Sequence, residues 1–338
     1  MEKTALLYRK KDGLDLECLL CGHFCTIKEG AKGICAVRHN KGGKLYSLNY
    51  GKLVANNCDP IEKKPLFHFF PGSLSYSIAS VGCNFQCAFC QNWQISQSGQ
   101  AVSLGIESSE CRPFDVVQAA KVNRCQSISY TYTEPTLSLE FALDCAKIAK
   151  ENKLYNIFVT NGYMSKGALK LIGHYLDAAN IDLKAFSDSF YEKLCKAHLK
   201  PVLDTIERMK KLNIWIELTT LLIPGMNDNE KEISAIADFI AFLDKDMPWH
   251  ISRFFPHYKF RKAAPTSFNT LSMAYDIAKS KGLNFVYMGN YKTQFGENTV
   301  CPNCFRIVVE RECFSLRQFC LKKGKCQFCN YHIAGVFV

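Results

Sequence analysis

The chain has 338 residues, 48% of them hydrophobic and 22% charged, which allows one large core with small appendages and excludes a disordered or fibrous chain. A formal charge of +11 raises nucleic acid as a partner, yet +9 of it sits in residues 1–70 (12 Lys/Arg against 7 Asp/Glu) and 301–338 (6 against 2), where cysteines also cluster. Metal-bound thiolates, at about −2 for a four-thiolate zinc site and −1 for a three-thiolate cluster, reduce the total to roughly +6, so charge alone is weak evidence for RNA or DNA.

In chain order, the first twenty residues lack a signal-peptide core, and no apolar run approaches the ~20 residues of a membrane span. A cytoplasmic protein is expected, and in a reducing compartment its 18 cysteines read as metal ligands rather than disulfides. Residues 1–70 form a Gly- and Lys-rich segment with Cys18-x2-Cys21-x3-Cys25-x9-Cys35. That spacing suits one tetrahedral metal, with His23 or His39 able to replace a thiol; zinc is favoured and an auxiliary iron–sulfur cluster is the alternative.

Residues 71–295 alternate β-branched or aromatic runs with amphipathic ones. Strands are predicted at Ser75–Val81, Ser127–Tyr132, Asn156–Thr160, Ala179–Leu183, Trp215–Leu222, His250–Phe254 and Asn284–Tyr287. Helices are predicted at Leu137–Glu151, Leu169–Tyr175, Val202–Leu212, Glu230–Leu243 and Leu271–Lys281. About six βα units make an α/β fold with a parallel sheet, and no G-x-G-x-x-G follows a strand, which argues against dinucleotide binding. A partial (βα)6-type barrel is expected, its polar residues at the C-terminal strand ends where such folds place their sites.

Residues 296–338 return to cysteine pairs: Cys301-x2-Cys304, 21 residues, then Cys326-x2-Cys329. Two such knuckles complete a zinc-ribbon tetrahedron, with a second iron–sulfur cluster as the rival reading. Cys58, Cys111, Cys125, Cys145 and Cys195 have no partner spacing and read as small buried hydrophobes.

The central motif is Cys83-Asn84-Phe85-Gln86-Cys87-Ala88-Phe89-Cys90, a C-x3-C-x2-C loop directly after the first core strand. Three thiolates can hold three irons of a cubane and leave the fourth open, whereas an electron-transfer ferredoxin would supply a fourth cysteine. The other readings are a zinc site with a borrowed ligand, or plain buried thiols.

This loop, with its aromatic Phe89, resembles that of the radical S-adenosylmethionine (SAM) enzymes. The resemblance implies a [4Fe–4S] cluster on Cys83, Cys87 and Cys90 whose open iron chelates SAM. One electron then cleaves the sulfonium to give a 5′-deoxyadenosyl radical that abstracts a substrate hydrogen. It further implies SAM-site roles at successive strand ends. Glu134-Pro135 resembles the Glu-Pro that contacts the SAM amino group, although Thr133 stands where the superfamily has glycine. Thr160-Asn161-Gly162 and Asp182-x-Lys184 resemble stretches of the activase subgroup, in which the lysine meets the SAM carboxylate and the aspartate helps hold a monovalent cation. Val159 stands where the activases have another aspartate. Each of these residues also has a plain structural reading, as a helix start, a turn or an exposed strand face. Glu217 and Thr219 are expected to face the same cavity, and His250 is assigned there with them, against its alternative as a satisfied core histidine.

From Cys18-Leu19-Leu20-Cys21 through Tyr130–Thr136 and Ile181–Phe186 to Met288-Gly289-Asn290, the chain resembles the AmmeMemoRadiSam system subgroup, relatives of the pyruvate formate-lyase activating enzymes. That implies Memo-like and AMMECR-like partners and an electron donor such as flavodoxin or ferredoxin, with no membrane. Two functions follow: a radical enzyme acting on a protein or partner-delivered substrate, or one modifying a small metabolite or nucleic acid. A zinc-rich adaptor, the non-enzymatic reading, leaves the three-cysteine loop unexplained.

Overall fold

A computed structural model describes residues 2–97, 107–291 and 296–337. Its centre is a nine-stranded sheet: β1 (Lys52–Pro60), β2 (Leu74–Ser80), β3 (Ser109–Glu110), β4 (Ser127–Tyr130), β5 (Tyr155–Thr160), β6 (Ala178–Asp182), β7 (Trp215–Leu222), β8 (Trp249–Arg253) and β9 (Val286–Gly289). The spatial order is β9-β8-β7-β6-β5-β4-β2-β1-β3. Every neighbouring pair from β2 to β9 is parallel, with registers such as Ser127↔Ser75, Thr160↔Ile181 and Thr219↔His250. β9 and β3 are not joined, so the seven parallel strands make a partial α/β barrel.

Among the described residues, six longer helices alternate with those strands: α1 (Pro113–Val122), α2 (Leu139–Glu151), α3 (Lys166–Ile172), α4 (Leu199–Lys211), α5 (Glu230–Leu243) and α6 (Phe268–Ser280). On α4, Leu199, Val202, Ile206 and Met209 recur every three or four residues and bury one face. Three basic residues close its last turn, complementing the helix dipole. Ser165, Asn229 and Ser267 cap α3, α5 and α6, their side chains accepting from the backbone N–H three residues on. Ile128, Phe158, Leu218 and Trp249 fill the core. Among the described residues no helix is long and apolar enough to cross a membrane.

Trp215–Leu222 and Glu230–Leu243 coincide with their predicted bounds. β4 stops at Tyr130, two residues early, because Tyr132 takes φ +64° and turns the chain out of the sheet. The Ser165 cap starts α3 at Lys166, ahead of the predicted Leu169. Lys52–Pro60, which falls within the N-terminal segment as read from sequence, pairs antiparallel with β2 inside the central sheet. Its polar stretch Asn56-Asn57 hides the strand from a propensity reading; its partner strand decides the conformation.

Both flanks are packed onto the barrel. In residues 2–49, Leu16, Leu20, Ile27 and Leu45 join the main core. Arg38, 1% exposed, donates to Glu140 of α2 at 2.8 and 2.7 Å and to Leu137 O at 2.9 Å. In residues 296–337, Val308, Val309, Leu321 and Ile333 build a small core with Phe67, Phe285 and Tyr287. This segment is stitched back by Val336 N–H donating to His68 O (2.7 Å) and by His68 Nδ1 against Ala334 O (2.6 Å).

Candidate active site

β2 ends at Ser80, and Gly82 turns the chain with φ +107°, where a Cβ would meet Val37 at 3.0 Å. The loop that follows carries Cys83, Cys87 and Cys90 across the C-terminal edge of the sheet. Phe85 anchors it, 1% exposed and packed edge-on to Tyr163 and Tyr191. Gln86 N–H and Ala88 N–H donate to the carbonyls of Cys195 and Leu194 at 2.9 Å, so a π-helical turn at Tyr191–Cys195 braces the loop. The sulfurs already have donors: Phe85 N–H to Cys83 at 3.3 Å, Asn161 Nδ2 to Cys83 at 3.7 Å, and the Ser96 hydroxyl 3.2 Å from Cys90. The Cys195 thiol stands beside Cys87 and, with Lys184, holds the Cys87 thiol below its ordinary pKa against burial. Cys195 is fully buried, as expected from sequence, and the fold also sets its thiol against Cys87. Nothing in its spacing shows this, because a fold contact alone brings it to the loop.

The three cysteines line a cavity of about 680 Å³ whose walls are the C-terminal strand ends. At the end of β4, Thr133 donates its hydroxyl to Ser80 O at 2.7 Å, a role glycine cannot fill. Glu134 lines the cavity but is 3% exposed, and its carboxylate accepts from Thr136 N (3.0 Å), Thr160 Oγ1 (2.8 Å) and Asn161 N (2.8 Å). Burial lifts its pKa; those hydrogen bonds oppose the rise. Asn161, at the end of β5, donates to Asn84 Oδ1 at 2.7 Å and so ties this strand end to the cysteine loop. Thr160 and Asn161 thus share the cavity wall with the three cysteines.

At the end of β6, the Lys184 ammonium lies 2.9 Å from Asp182 Oδ2 and 5.9 Å from the Phe89 ring. Burial disfavours its charge, but Asp182 and the neighbouring thiols outweigh burial and keep it protonated. Phe89 is buried in the cavity wall against Phe190 and Phe260. Thr219 lines the cavity level with Asp182.

Glu217 does not line the cavity as expected. It lies two residues below Thr219 on β7, about 7 Å deeper in the sheet, and is fully buried. Its carboxylate accepts from Phe67 N (2.9 Å), His68 N (2.7 Å), Trp215 Nε1 (3.0 Å) and His250 Nε2 (2.7 Å). Despite burial, the bond to His250 keeps its pKa low. His250 faces the cavity, but Glu217 occupies its Nε2 and its ring stacks on Tyr287. Arg311, from the C-terminal segment, reaches the cavity floor and donates to Phe67 O at 2.6 Å and Thr299 Oγ1 at 2.9 Å. No sequence signal marks it.

In the C-terminal segment, Cys301 and Cys329 sulfurs stand 3.6 Å apart, Cys304 and Cys326 3.7 Å apart, and all four lie within 4.8 Å of one another. Four thiolates at 2.3 Å from one zinc stand about 3.8 Å apart, so the donor set and spacing match that ion. Cys18, Cys21, Cys25 and Cys35 share the wall of a second, smaller cavity.

The model of the radical SAM superfamily matches residues 77–240. An uncharacterised protein of Methanocaldococcus jannaschii is 44% identical over 334 residues, 98% of this chain and 98% of its own. The pyruvate formate-lyase-activating enzyme of Staphylococcus aureus is 20% identical over 216 residues, 61% of this chain and 82% of that one. Among solved structures, Streptococcus suis SuiB bound to S-adenosylmethionine aligns with a TM-score of 0.51 at 13% identity, over 68% of this chain and 53% of that one; the likeness is one of fold.

Proposed function

The chain belongs to the radical SAM superfamily, and we propose that it abstracts hydrogen from a protein or partner-delivered substrate, in the manner of the glycyl-radical activating enzymes. The observation that carries this is the three-cysteine loop at the C-terminal edge of a parallel sheet, open to a cavity large enough for SAM and part of a substrate. When bound, a [4Fe–4S] cluster and SAM would supply the one-electron chemistry that cleaves the sulfonium and yields a hydrogen-abstracting 5′-deoxyadenosyl radical.

The residues present fit that pair of cofactors. Cys83, Cys87 and Cys90 would each take one iron, with N–H and hydroxyl donors already at two of the sulfurs, where such bonds tune the potential. Lys184, charged and partly dry, would meet the SAM carboxylate. A monovalent cation beside that carboxylate would rely on Asp182, since Val159 offers no oxygen from its side chain. Glu134 has its oxygens engaged by Thr136, Thr160 and Asn161, so it first holds two strand ends together, and an amino-group contact would add to that set. Phe89 and Phe67 in the walls would exclude water from the reacting atoms.

One zinc in the Cys301–Cys329 quartet, an electron donor of the flavodoxin or ferredoxin class and a cytoplasmic setting complete the proposal. Membership of the AmmeMemoRadiSam subgroup, with Memo-like and AMMECR-like partners, is supported by the motifs at Cys18–Cys21, Tyr130–Thr136 and Met288–Asn290. The basic flanks keep a nucleic-acid substrate as the second reading, and salt-sensitive RNA binding would favour it.

The test uses the reconstituted, reduced enzyme with SAM and an extract of deuterium-grown cells split into macromolecular and small-molecule fractions. Deuterium reaching 5′-deoxyadenosine only from the macromolecular fraction is expected, and proteinase treatment of that fraction should abolish it. Label only from small molecules would overturn the activase-like reading. Cys87→Ala should abolish 5′-deoxyadenosine formation; undiminished cleavage would remove the cluster chemistry itself.

A further inference from the structure

We propose that the surface side of the cysteine loop, at Gln86 and Ala88, is the docking face for a small acidic protein that delivers single electrons. Lys193 and Lys196 flank it on one side, and Lys259, Arg261 and Lys262 on the other. The proposal rests on the radical SAM reading of Cys83, Cys87 and Cys90, and names the face through which that centre is reduced.

The loop has two sides. Phe85, Cys87, Phe89 and Cys90 line the cavity, whereas Gln86 and Ala88 do not. Gln86 is exposed and Ala88 half-buried, so the chain reaches the surface beside Cys87 and again between Cys87 and Cys90. Ala88 is clasped from both directions: its N–H donates to Leu194 O at 2.9 Å, and its carbonyl accepts from Lys259 N–H at 3.0 Å. Phe190 and Phe260 pack on Phe89, and Tyr258 stacks on Trp93 with ring centroids 5.0 Å apart. Residues 191–196 and 257–262 are thereby fixed to the loop, and their exposed side chains are held around it.

Those two segments are where the barrel block keeps its positive charge. Residues 71–300 carry 24 Lys/Arg against 22 Asp/Glu, nearly balanced. Residues 191–196 and 257–262 together hold five cations, Lys193, Lys196, Lys259, Arg261 and Lys262, against one carboxylate, Glu192. All five cations are exposed. The nearby carboxylates are turned elsewhere: Asp188 and Glu192 lie beside His198, and Asp204 pairs with Lys200. Such a cluster raises the local potential and steers an acidic partner, by a factor of about 10–1,000 in association rate at low salt.

An electron carrier suits this face better than a nucleic acid does. Reduction moves one electron from the carrier to the iron–sulfur centre, so the carrier is oxidised by one electron, and no bond or proton has to move. Its redox group needs only a short approach to Cys87 and Cys90, which Ala88 offers, while the cavity stays free for SAM and substrate. A nucleic-acid substrate must place its reacting atom inside the cavity, and none of the five cations lines it.

The experiment gives the reconstituted full chain and SAM two electron sources: dithionite, which needs no docking, and reduced flavodoxin, an acidic flavin protein. Lys259→Glu with Arg261→Glu and Lys262→Glu should lower kcat/KM for flavodoxin about 10-fold or more, with iron content and dithionite-driven 5′-deoxyadenosine formation unchanged. Flavodoxin affinity, read by surface plasmon resonance on the chain with and without iron, should weaken with it. Raising salt from about 50 to about 200 mM should weaken the wild type more than the variant. Lys193→Glu, on the opposite segment, should shift both readouts in the same direction and stands in if the triple variant fails to fold. Flavodoxin binding and kinetics equal to wild type in these variants would overturn the proposal, as would a wild type that accepts electrons from dithionite but not from flavodoxin. RNA binding lost in the triple variant, with flavodoxin-driven turnover intact, would reassign the face to nucleic acid. A wild-type chain that cleaves no SAM with dithionite would instead remove the radical SAM reading itself.

Discussion

Glu217 offers the sharpest test of how the barrel is held, because its carboxylate serves four donors, three of them buried, from three parts of the chain. Oε1 accepts from His68 N and Trp215 Nε1, and Oε2 from Phe67 N and His250 Nε2. Glu217→Ala strands the three buried donors at about 1–3 kcal/mol each and frees the half-buried Trp215 indole N–H, so at least ~3 kcal/mol should be lost from a total of order 5–15. Glu217→Gln is much milder. Its amide oxygen keeps the Oε1 pair; its NH2 faces Phe67 N–H and His250, and the imidazole can change tautomer to accept from it. One backbone N–H is left without a partner, which costs about 1–3 kcal/mol. The assay is urea unfolding followed by fluorescence of Trp215, whose indole N–H is one of the four donors, with cluster iron measured alongside. Because Glu217 lies beneath the cavity rather than in its wall, the glutamine variant should keep its cluster and its SAM cleavage. An alanine variant within 0.5 kcal/mol of wild type would refute the brace, and a glutamine variant of full stability without SAM cleavage would return Glu217 to the cofactor site.

Two further outcomes follow from the same region. Burial pushes the His68 pKa from 6.5 down to about 4, so the folded chain keeps this imidazole neutral where the unfolded chain protonates it. Stability should therefore fall as pH drops from 6.5 toward 4, by about 3 kcal/mol over the window, and His68→Gln should flatten that part of the profile; an unchanged slope would show that another group titrates there. In the C-terminal segment, Cys304→Ser with Cys329→Ser should remove about one zinc per chain, leave the iron content unchanged and raise hydrogen exchange at Val308, Val309 and Val336. Unchanged zinc content would place that ion elsewhere.

The parts of the site that were legible in the sequence are those set by short spacing. Cys83, Cys87 and Cys90 announce themselves on one loop, while Thr160-Asn161 and Asp182-x-Lys184 stood out through their resemblance to the activase stretches and their place at strand ends. Depth was not legible. Glu217 and Thr219 alternate correctly onto one face of β7, but only pairing with Asn180 and Asp182 shows that the first lies a full pleat below the second. Contacts between distant segments were equally hidden: Arg38 meets Glu140 across 102 residues, and Cys195 reaches Cys87 through a π-helical turn. Thr133 looked like a departure from a glycine pattern, and its hydroxyl bond to Ser80 O shows what the side chain does instead.

The two cysteine-rich flanks are better understood as parts of the barrel than as additions to it. An open sheet leaves the cavity floor and the back of the cysteine loop to be closed by something else. The C-terminal segment closes the floor: Arg311 enters it, and Ala334 O fixes the ring of His68, whose N–H in turn engages Glu217. The N-terminal segment closes the back, where Val37 packs against Gly82 and His23 meets Asn84. Neither flank is large enough to hold a rigid shape by apolar burial alone, and each contains a four-cysteine motif, Cys18 to Cys35 in one and Cys301 to Cys329 in the other. Metal held by those thiols would act through position: it would stiffen the two surfaces that the cysteine loop and the cavity floor rest upon.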